Sequence, residues 1–448
     1  MNTKTKEIDM TGGPLAKGIL LYSVPLMFSN VLQVLFNLAD VAVVGRFAGT
    51  IALGAVGSTS LIITMTTGIL LGLSGGVNAV TALYTGARNE KNVRKCVNTS
   101  FLICLTAGFL LLLAGLFLTL PLLRLIGTKE ELIGGARIYL TIYLLGSPGL
   151  AMYNYGNAVL SAIGDTRRPL KYLMSAGVIN IILNLLFVIG FHMDVVGFAL
   201  ASIISQYISG VLVLHFLLKS KEVYGLKLRE GFAVDRKIAG RVLAIGLPTA
   251  IQYSLFAIAN LFIQSAVNSF DHIVVEGNSA AMNADNIVYD IMAAFYTACT
   301  SFIAQNLGAG KKERIKKVYF LTLTYSCLIA VILGGLLAIF RVPFLHLFTT
   351  DEQVIHYGSI RLGIMGCSYW ISAFMDDSAA AARGMGKSII PTAIVIAGSV
   401  VYRIIWVCTV FAYYHTLPAL YLVYATAWTF TSVLGNVYFY RVYRSAHV

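Results

Sequence analysis

The stretch "YTGARNEKNVRK" at residues 84–95 returns as "NLGAGKKERIKK" at 306–317, 222 residues further on. Each is a short polar passage ending in a run of bases, set between long apolar segments. The same offset carries "LIGTKEELI" at 125–133 onto "LFTTDEQVI" at 347–355, and "AIGDTRRP" at 162–169 onto "GMGKSIIP" at 384–391. "SVPL" at 23–26 meets "GLPT" at 246–249 after one extra residue. Four matches in the same order at nearly one offset make an internal repeat.

What is repeated follows from the segments around these passages. Hydrophobic residues make up 58% of the 448, and charged residues 12%. A soluble domain carries roughly 25% charged residues, so lipid must be the solvent for much of this chain. A span needs about 20 apolar residues. Breaking the apolar runs at glycines, prolines and charge clusters predicts twelve helices, near 15–43, 52–82, 97–120, 136–162, 171–190, 196–218, 241–268, 279–305, 318–340, 356–382, 391–412 and 418–440. With the N-terminus on the cytoplasmic side, most of the 33 lysines and arginines fall in cytoplasmic loops. Arg46, Arg124, Lys129, Arg137, Arg341 and Arg361 fall outside, and Arg403 falls within the eleventh helix. This positive-inside bias accounts for the net charge of +13 and makes nucleic acid an unneeded partner.

The fold class expected is all-α and integral to the membrane, with twelve transmembrane helices in two six-helix bundles, 1–217 and 242–448, joined by a cytoplasmic linker at 218–241. Six spans is an even number, so both halves enter from the same side. The repeat is then parallel, with a pseudo-twofold along the membrane normal, an architecture that transporters use for alternating access. The six cysteines include no CxxC pair and read as small hydrophobes with neither a disulfide frame nor a zinc site. No cleavable signal is expected at the N-terminus.

Ionisable groups inside a bilayer are costly and mark interior or wet surfaces. Asn30, Gln33, Asn37 and Asp40 share one face of the first helix. They read either as a cavity-lining stripe or, for the amides, as interhelical hydrogen bonding. Asp40 has no base in its own helix and reads as functional. Asn180 and Asn184 lie one turn apart in the fifth helix, and Ser202 and Gln206 in the sixth. In the second half, Asn283, Asn286 and Asp290 share a face of the eighth helix, with Asp285 off it. Ser368, Ser372 and Asp376 share a face of the tenth, with Asp377 beside them, and Asn260 and Gln264 belong to the seventh. Asp290, Asp376, Asn283, Asn286, Asn260 and Gln264 are expected to line a substrate cavity. Arg403 is expected to form an intramembrane ion pair with an acid of the eighth or tenth helix, foremost Asp377, because an unpaired base there is costly. Gly68, Gly72 and Gly76 predict close helix packing. Pro25 and Pro248 occupy matching places in the two lead helices, as packing features or as hinges.

"FNLADVAVVGRFAGTIALGAVG" at 36–57, "INIILNLLFVIGF" at 179–191, "GFALASIISQ" at 197–206, "FIAQNLGAGKKERIKK" at 302–317 and "ARGMGKSIIPT" at 382–392 resemble the multidrug and toxic compound extrusion (MATE) family, over essentially the whole chain. The resemblance implies an exporter of cationic or amphiphilic small molecules driven by inward H⁺ or Na⁺. It implies a coupling acid at Asp40, with Asn180 and Ser202 beside it and a bend at Pro25. Where many members place a second acid in the fifth helix, this chain has Asn184, and its seventh helix has no acid. Coupling then rests on Asp40 with Asn37, Asn180, Asn184 and Ser202, with Na⁺ at Asp40 one form of it, or moves to Asp290, Asp376 and Asp377.

The expected protein is a plasma-membrane monomer with both termini cytoplasmic. It contacts membrane lipid, uses no cofactor beyond the coupling ion, and is not an enzyme. Two alternatives stand beside this reading. One is a flippase of lipid-linked saccharides, which would line its cavity with cations for a pyrophosphate. The other is a membrane prenyl transferase, to which "NADNIVYD" at 283–290 lends a superficial likeness.

Overall fold

The computed structural model describes residues 7–227 and 234–445, apart from the side chains of 40–42, 44 and 48–50. The described residues are helical throughout, with no strand. In the first half, α1 (Leu15–Val43) leads into α2 (Gly49–Gly86) and α3 (Glu90–Phe117). A short α4 (Thr119–Leu125) precedes α5 (Glu130–Leu145), α6 (Ser147–Ala162), α7 (Arg167–Asn184) and α8 (Asp194–Lys219). The second half runs α9 (Arg236–Val267), α10 (His272–Gly308), α11 (Lys312–Ile339), a short α12 (Arg341–Leu345) and α13 (Glu352–Gly384). Its eleventh span is built in pieces, α14 (Ile389–Val395), α15 (Tyr402–Trp406) and α16 (Ala412–Tyr414), joined through widened π-helical turns, and α17 (Leu417–Ser445) ends the chain.

Ten of these stretches are long and apolar enough to cross a bilayer. The remaining two of the twelve spans differ from that pattern for identifiable reasons. The fourth is divided into α5 and α6 at Gly146, where Pro148 enters the new first turn. Proline lacks the N–H that a continuous helix requires but is tolerated at a helix start. The tenth, α13, is a single 33-residue helix that carries Arg361, Asp376 and Asp377 in its interior. Arg361, counted toward the outer side by the charge bias, is buried within α13. Helix starts are marked where the chain has capping side chains. Asn89 accepts from the Asn92 N–H at 3.1 Å at the head of α3, and Asp351 accepts from Gln353 and Val354 N–H at α13.

The chain forms two compact units, cut differently from the sequence halves. One comprises 1–8 and 28–254, the other 9–27 and 255–448. Each lead helix therefore changes unit partway along. In the first unit, the glycine stripe of α2 takes the first half of α9. A Cβ on Gly72 would stand 2.3 Å from the Ala250 nitrogen, and one on Gly76 2.3 Å from the Val242 oxygen. In the second unit, the first half of α1 rests on α10. There Tyr22 meets the Ser301 hydroxyl at 2.8 Å and packs edge-on against Phe302 at 5.5 Å.

The expected linker is not a free tether where it is described. Tyr224 and Leu226 are buried in the same apolar core as Cys96, Tyr155 and Val242, and Asp235 pairs with Lys95 at 2.8 Å. Residues 228–233 lie outside the described set. Of the cysteines, Cys96, Cys104 and Cys299 are buried as expected, whereas Cys367 and Cys408 are exposed.

Candidate functional site

In the first unit the polar side chains of α7 and α8 meet. Asn184 donates to the Asn180 oxygen at 3.3 Å, and Asn180 donates to the Ser205 hydroxyl at 3.4 Å. Ser205 in turn donates to the Ser202 carbonyl at 2.8 Å, while the Ser202 hydroxyl donates within its own helix to Phe198 at 3.1 Å. Asn180, Asn184 and Ser202 are all buried. The Phe198 ring stacks on Tyr139 at 5.3 Å, with Val188 and Val195 in the same apolar cluster. The result is a group of amide and hydroxyl oxygens under an apolar cover, a donor set of the kind that hard monovalent or divalent cations accept.

The second half of α1 joins this group. A Cβ on Gly177 would collide with the Phe36 ring at 1.9 Å, so α1 and α7 are in close contact there. Phe36 lies one turn before Asp40 in α1, and Gly177 lies just before Asn180 in α7. Asn37 is exposed on α1, and the Asp40 side chain lies outside the described residues. Pro25 sits inside α1, which continues past it from Leu15 to Val43.

The second unit carries a larger polar cluster, centred on Arg361 of α13. Its Nε and Nη2 donate to Asp285 Oδ2 at 2.9 and 2.5 Å, and its Nη1 donates to Asn278 Oδ1 at 2.7 Å. Tyr369 donates to the other Asp285 oxygen. Tyr421 donates to Asn278 Oδ1 at 3.1 Å, and Asn278 donates to Gln264 Oε1 at 3.3 Å. The guanidinium also faces the rings of Tyr421 at 5.2 Å and Tyr424 at 5.4 Å. Four helices, α9, α10, α13 and α17, thus meet on one largely buried ion pair, whose free lone pairs are filled as a buried pair requires.

Arg403 lies on another side of Tyr424, with its guanidinium 4.5 Å from that ring and 5.7 Å from Phe256. It donates through Nη1 to Asn260 Oδ1 at 3.2 Å. The expected pair with Asp377 does not form. Asp377 and Asp376 are neighbours in one helix and therefore point about 100° apart, given 3.6 residues per turn. Asp377, fully buried, turns toward Cys299, Thr322 and Ser326 of α10 and α11, and no hydrogen bond closes on either of its oxygens. Asp376 feels the charge of Arg383 first and of Arg403 second, and makes a salt bridge with neither. The base expected to pair with a helix-8 or helix-10 acid is instead Arg361, and the acid is Asp285, which the helical-face argument had set aside.

The remaining cavity candidates divide. Gln264 belongs to the Arg361 cluster, and Asn260 is exposed beside Arg403. Asn283 turns back to the Ser279 and Ala280 carbonyls of its own helix at 3.3 and 3.4 Å, Asn286 is exposed, and Asp290 is partly buried. Sequence reasoning missed Asn278, Tyr369, Tyr421 and Tyr424. The three tyrosines carry no charge and so drew no attention among the ionisable groups, and Asn278 precedes the predicted start of its helix at 279. The tyrosines could have been found as the aromatic company that buried guanidinium groups keep.

Outside the spans, Glu7 accepts from the Tyr224 hydroxyl at 3.1 Å. Partial burial pushes the Glu7 carboxyl above its ordinary range, more than that hydrogen bond lowers it, with Asp165 and Glu222 adding to the rise. Burial, with Glu7 beside it, takes the Tyr224 hydroxyl up to about 12.

Comparison with known proteins supplies a context for this geometry. The family model described as MatE matches the chain twice, over residues 25–186 and 248–408. The probable multidrug resistance protein YpnP of Bacillus subtilis is 33% identical over 69% of this chain and 69% of its own length. An FAD transporter of Shewanella oneidensis is 26% identical over 80% of each. A MOP-superfamily transporter from Pyrococcus furiosus, 22% identical, covers 100% of both chains with a TM-score of 0.92, which establishes the likeness of fold.

Proposed function

The chain belongs to the MATE family of multi-pass membrane transporters, not to the enzymes, and from that premise we propose that it is a secondary active exporter of cationic or amphiphilic small molecules, coupled to inward H⁺ or Na⁺. The observation that carries the reading is the number of buried acids left over once the ion pair is made. Asp285 is saturated by Arg361 and Tyr369, while Asp376 and Asp377 are buried without a salt bridge. Carboxyl groups in a lipid-embedded unit are costly as anions, so they serve where a cation arrives to neutralise them. The second reading, a saccharide-lipid flippase, asks for a cationic lining. The two buried arginines favour it more than the single one expected from sequence, but one of the two is fully neutralised by Asp285.

In this mechanism H⁺ or Na⁺ neutralises Asp40 beside Asn37, Asn180, Asn184 and Ser202. Neutralisation lets α1 bend near Pro25 and alternates access to the substrate. Asp290 and Asp376 hold the cationic part of the substrate. The protein works as a monomer in the plasma membrane with both termini cytoplasmic, and needs no cofactor beyond the ion.

The test is uptake of a cationic dye into inside-out proteoliposomes under separately imposed H⁺ and Na⁺ gradients. Wild type should concentrate the dye under at least one gradient. Asp40→Asn should abolish that gradient-driven uptake while retaining a wild-type elution profile. Full uptake by Asp40→Asn would make Asp40 structural. Asp290→Asn and Asp376→Asn should each impair cationic substrates more than neutral ones. If both behave as wild type while Asp40→Asn is inactive, coupling belongs to the first half alone.

A further inference from the structure

The second unit holds the start of α1 by its backbone. Ahead of the helix, Asp9 shapes its own segment: its Oδ1 accepts from the Thr11 and Gly12 N–H groups at 2.9 and 2.8 Å. Gly13 completes the turn at φ +63°, in the left-handed region that favours glycine. Four consecutive carbonyls then meet side chains at the α10–α11 connection. Asn306 donates to the Met10 oxygen at 3.0 Å, Lys311 to the Thr11 oxygen at 2.8 Å, and Arg314 Nη2 to the Gly12 and Gly13 oxygens at 3.2 and 3.3 Å. Arg314 Nε also donates to the Asn306 oxygen at 3.1 Å, which ties two of the three together. Met10 is fully buried, while Asp9, Gly13 and Pro14 are exposed. The repeat has no counterpart to this clamp. The 222-residue offset sets Asn306, Lys311 and Arg314 opposite Tyr84, Asn89 and Asn92. There Asn89 caps its own helix on the Asn92 N–H. Lys311 caps nothing at the head of α11, although an amide at that place would stabilise the helix; it reaches the segment instead. The lead-in to α9 is held by other means, the burial of Tyr224 and Leu226 in the apolar core of the first unit.

We infer that Asn306, Lys311 and Arg314 form a releasable clamp on residues 10–13, which opens to let the first half of α1 leave α10 during the transport cycle. A segment that keeps its shape through its own Asp9 turn loses little freedom on docking, so it can dock and undock as a unit. Its carbonyls can exchange these donors for water, and each such exchange changes the free energy only modestly. Three donors acting on four carbonyls therefore make the closed state definite without making it permanent, whereas apolar burial fixes the lead-in to α9. The contacts further along α1 are of the same reversible kind. Tyr22 meets the Ser301 hydroxyl and packs edge-on against Phe302, and Tyr325 reaches the Ala16 carbonyl at 3.5 Å. The inference rests on the exporter reading above, from which it takes the transport cycle, and gives a conformational role to side chains that belong to neither polar cluster.

Met10 serves as the reporter, because it is sealed only while the clamp is closed. In purified full-length protein carrying Met10→Cys, with Cys327, Cys367 and Cys408 replaced by serine, a water-soluble maleimide should label the new thiol slowly but to completion. Adding Arg314→Gln should speed labelling at least about tenfold, the scale of one hydrogen bond to a charged group, and Arg314→Lys should fall between, since an ammonium keeps charge but loses the fork. A thiol that stays unlabelled until the protein is unfolded in detergent, or that reacts equally fast with and without Arg314→Gln, overturns the inference. A second arm leaves Met10 in place. Thr11→Cys and Lys311→Cys in the same serine background, joined by a reducible bis-methanethiosulfonate and verified by intact mass, should lose gradient-driven ethidium uptake into inside-out proteoliposomes and regain it on reduction. Undiminished uptake with the link in place overturns the release of the clamp and leaves the exporter reading standing. Absence of uptake in wild type and in the reduced pair alike overturns the exporter reading, while the labelling arm still decides the clamp.

Discussion

Asp285 accepts from three donor groups on α13: two nitrogens of Arg361 at one oxygen and the Tyr369 hydroxyl at the other. Removing one partner of such a buried pair leaves an uncompensated charge and costs about 3–5 kcal/mol. Asp285→Asn and Arg361→Gln should therefore each lower the thermal unfolding midpoint in detergent strongly, and the double variant should recover part of the loss. Additive losses would show that the pair contributes little. Glu7 offers a milder case. Its carboxyl is held above the ordinary range by burial, so the charged form weighs against the folded state. Sign follows directly: Glu7 favours folding below the ordinary carboxylate range and loses that contribution as pH rises through its raised folded value. Glu7→Gln should raise the unfolding midpoint at pH 8, with the gain vanishing as pH falls into the ordinary carboxylate range; a loss of stability at pH 8 would contradict it. At this scale the sequence was informative about which residues matter and poor about which partner each takes. Helical spacing sorts side chains by face, so Asn180, Asn184 and Ser202 were legible as a group. It does not say which neighbouring helix a face meets, and Asp377 and Arg403 were mispaired for that reason.

The α2 glycines sort at the level of the helix as a whole. Gly72 and Gly76 lie under the backbone of α9, while a Cβ on Gly75 would meet nothing within 4 Å. Gly76→Ala should cost about 1–3 kcal/mol by overpacking, whereas Gly75→Ala should be neutral or slightly stabilising, since alanine is the better helix former by about 1 kcal/mol. Thermal unfolding of the two variants side by side checks this, and equal losses would remove the contact as the cause. The spacing of these glycines was visible in sequence because close helix packing leaves a small-residue signature. Two other features left none. The division between α5 and α6 lies in an apolar run where only Gly146 and Pro148 mark it. The π-helical turns at Leu185–Gly190 and Val407–Phe411 occupy matching places in the repeat. Such turns insert a residue without any compositional mark and recur at functional sites; the first begins immediately after Asn184 and the second lies one turn beyond Arg403.

For the molecule as a whole, the twelve spans and the repeat were readable because lipid enforces long apolar segments and because the loop passages match at one offset. The division into units was not readable, since it depends on where α1 and α9 pack and both are apolar along most of their length. Residues 9–27 fold with the second unit, and α9 up to Ser254 folds with the first. That feature governs how the chain can be made. A ribosome releasing the first 227 residues has not yet supplied the α9 segment that lies on Gly72 and Gly76, and α1 still lacks α10 for Tyr22. Neither half, cut within 228–233, should then be a self-sufficient folding unit. Expressed alone, each should be degraded or aggregate; expressed together from separate messages, they should rescue each other into one complex that elutes with the intact protein. Stable, monodisperse recovery of either half by itself would contradict this, and would mean that the lead helices can fold back on their own half.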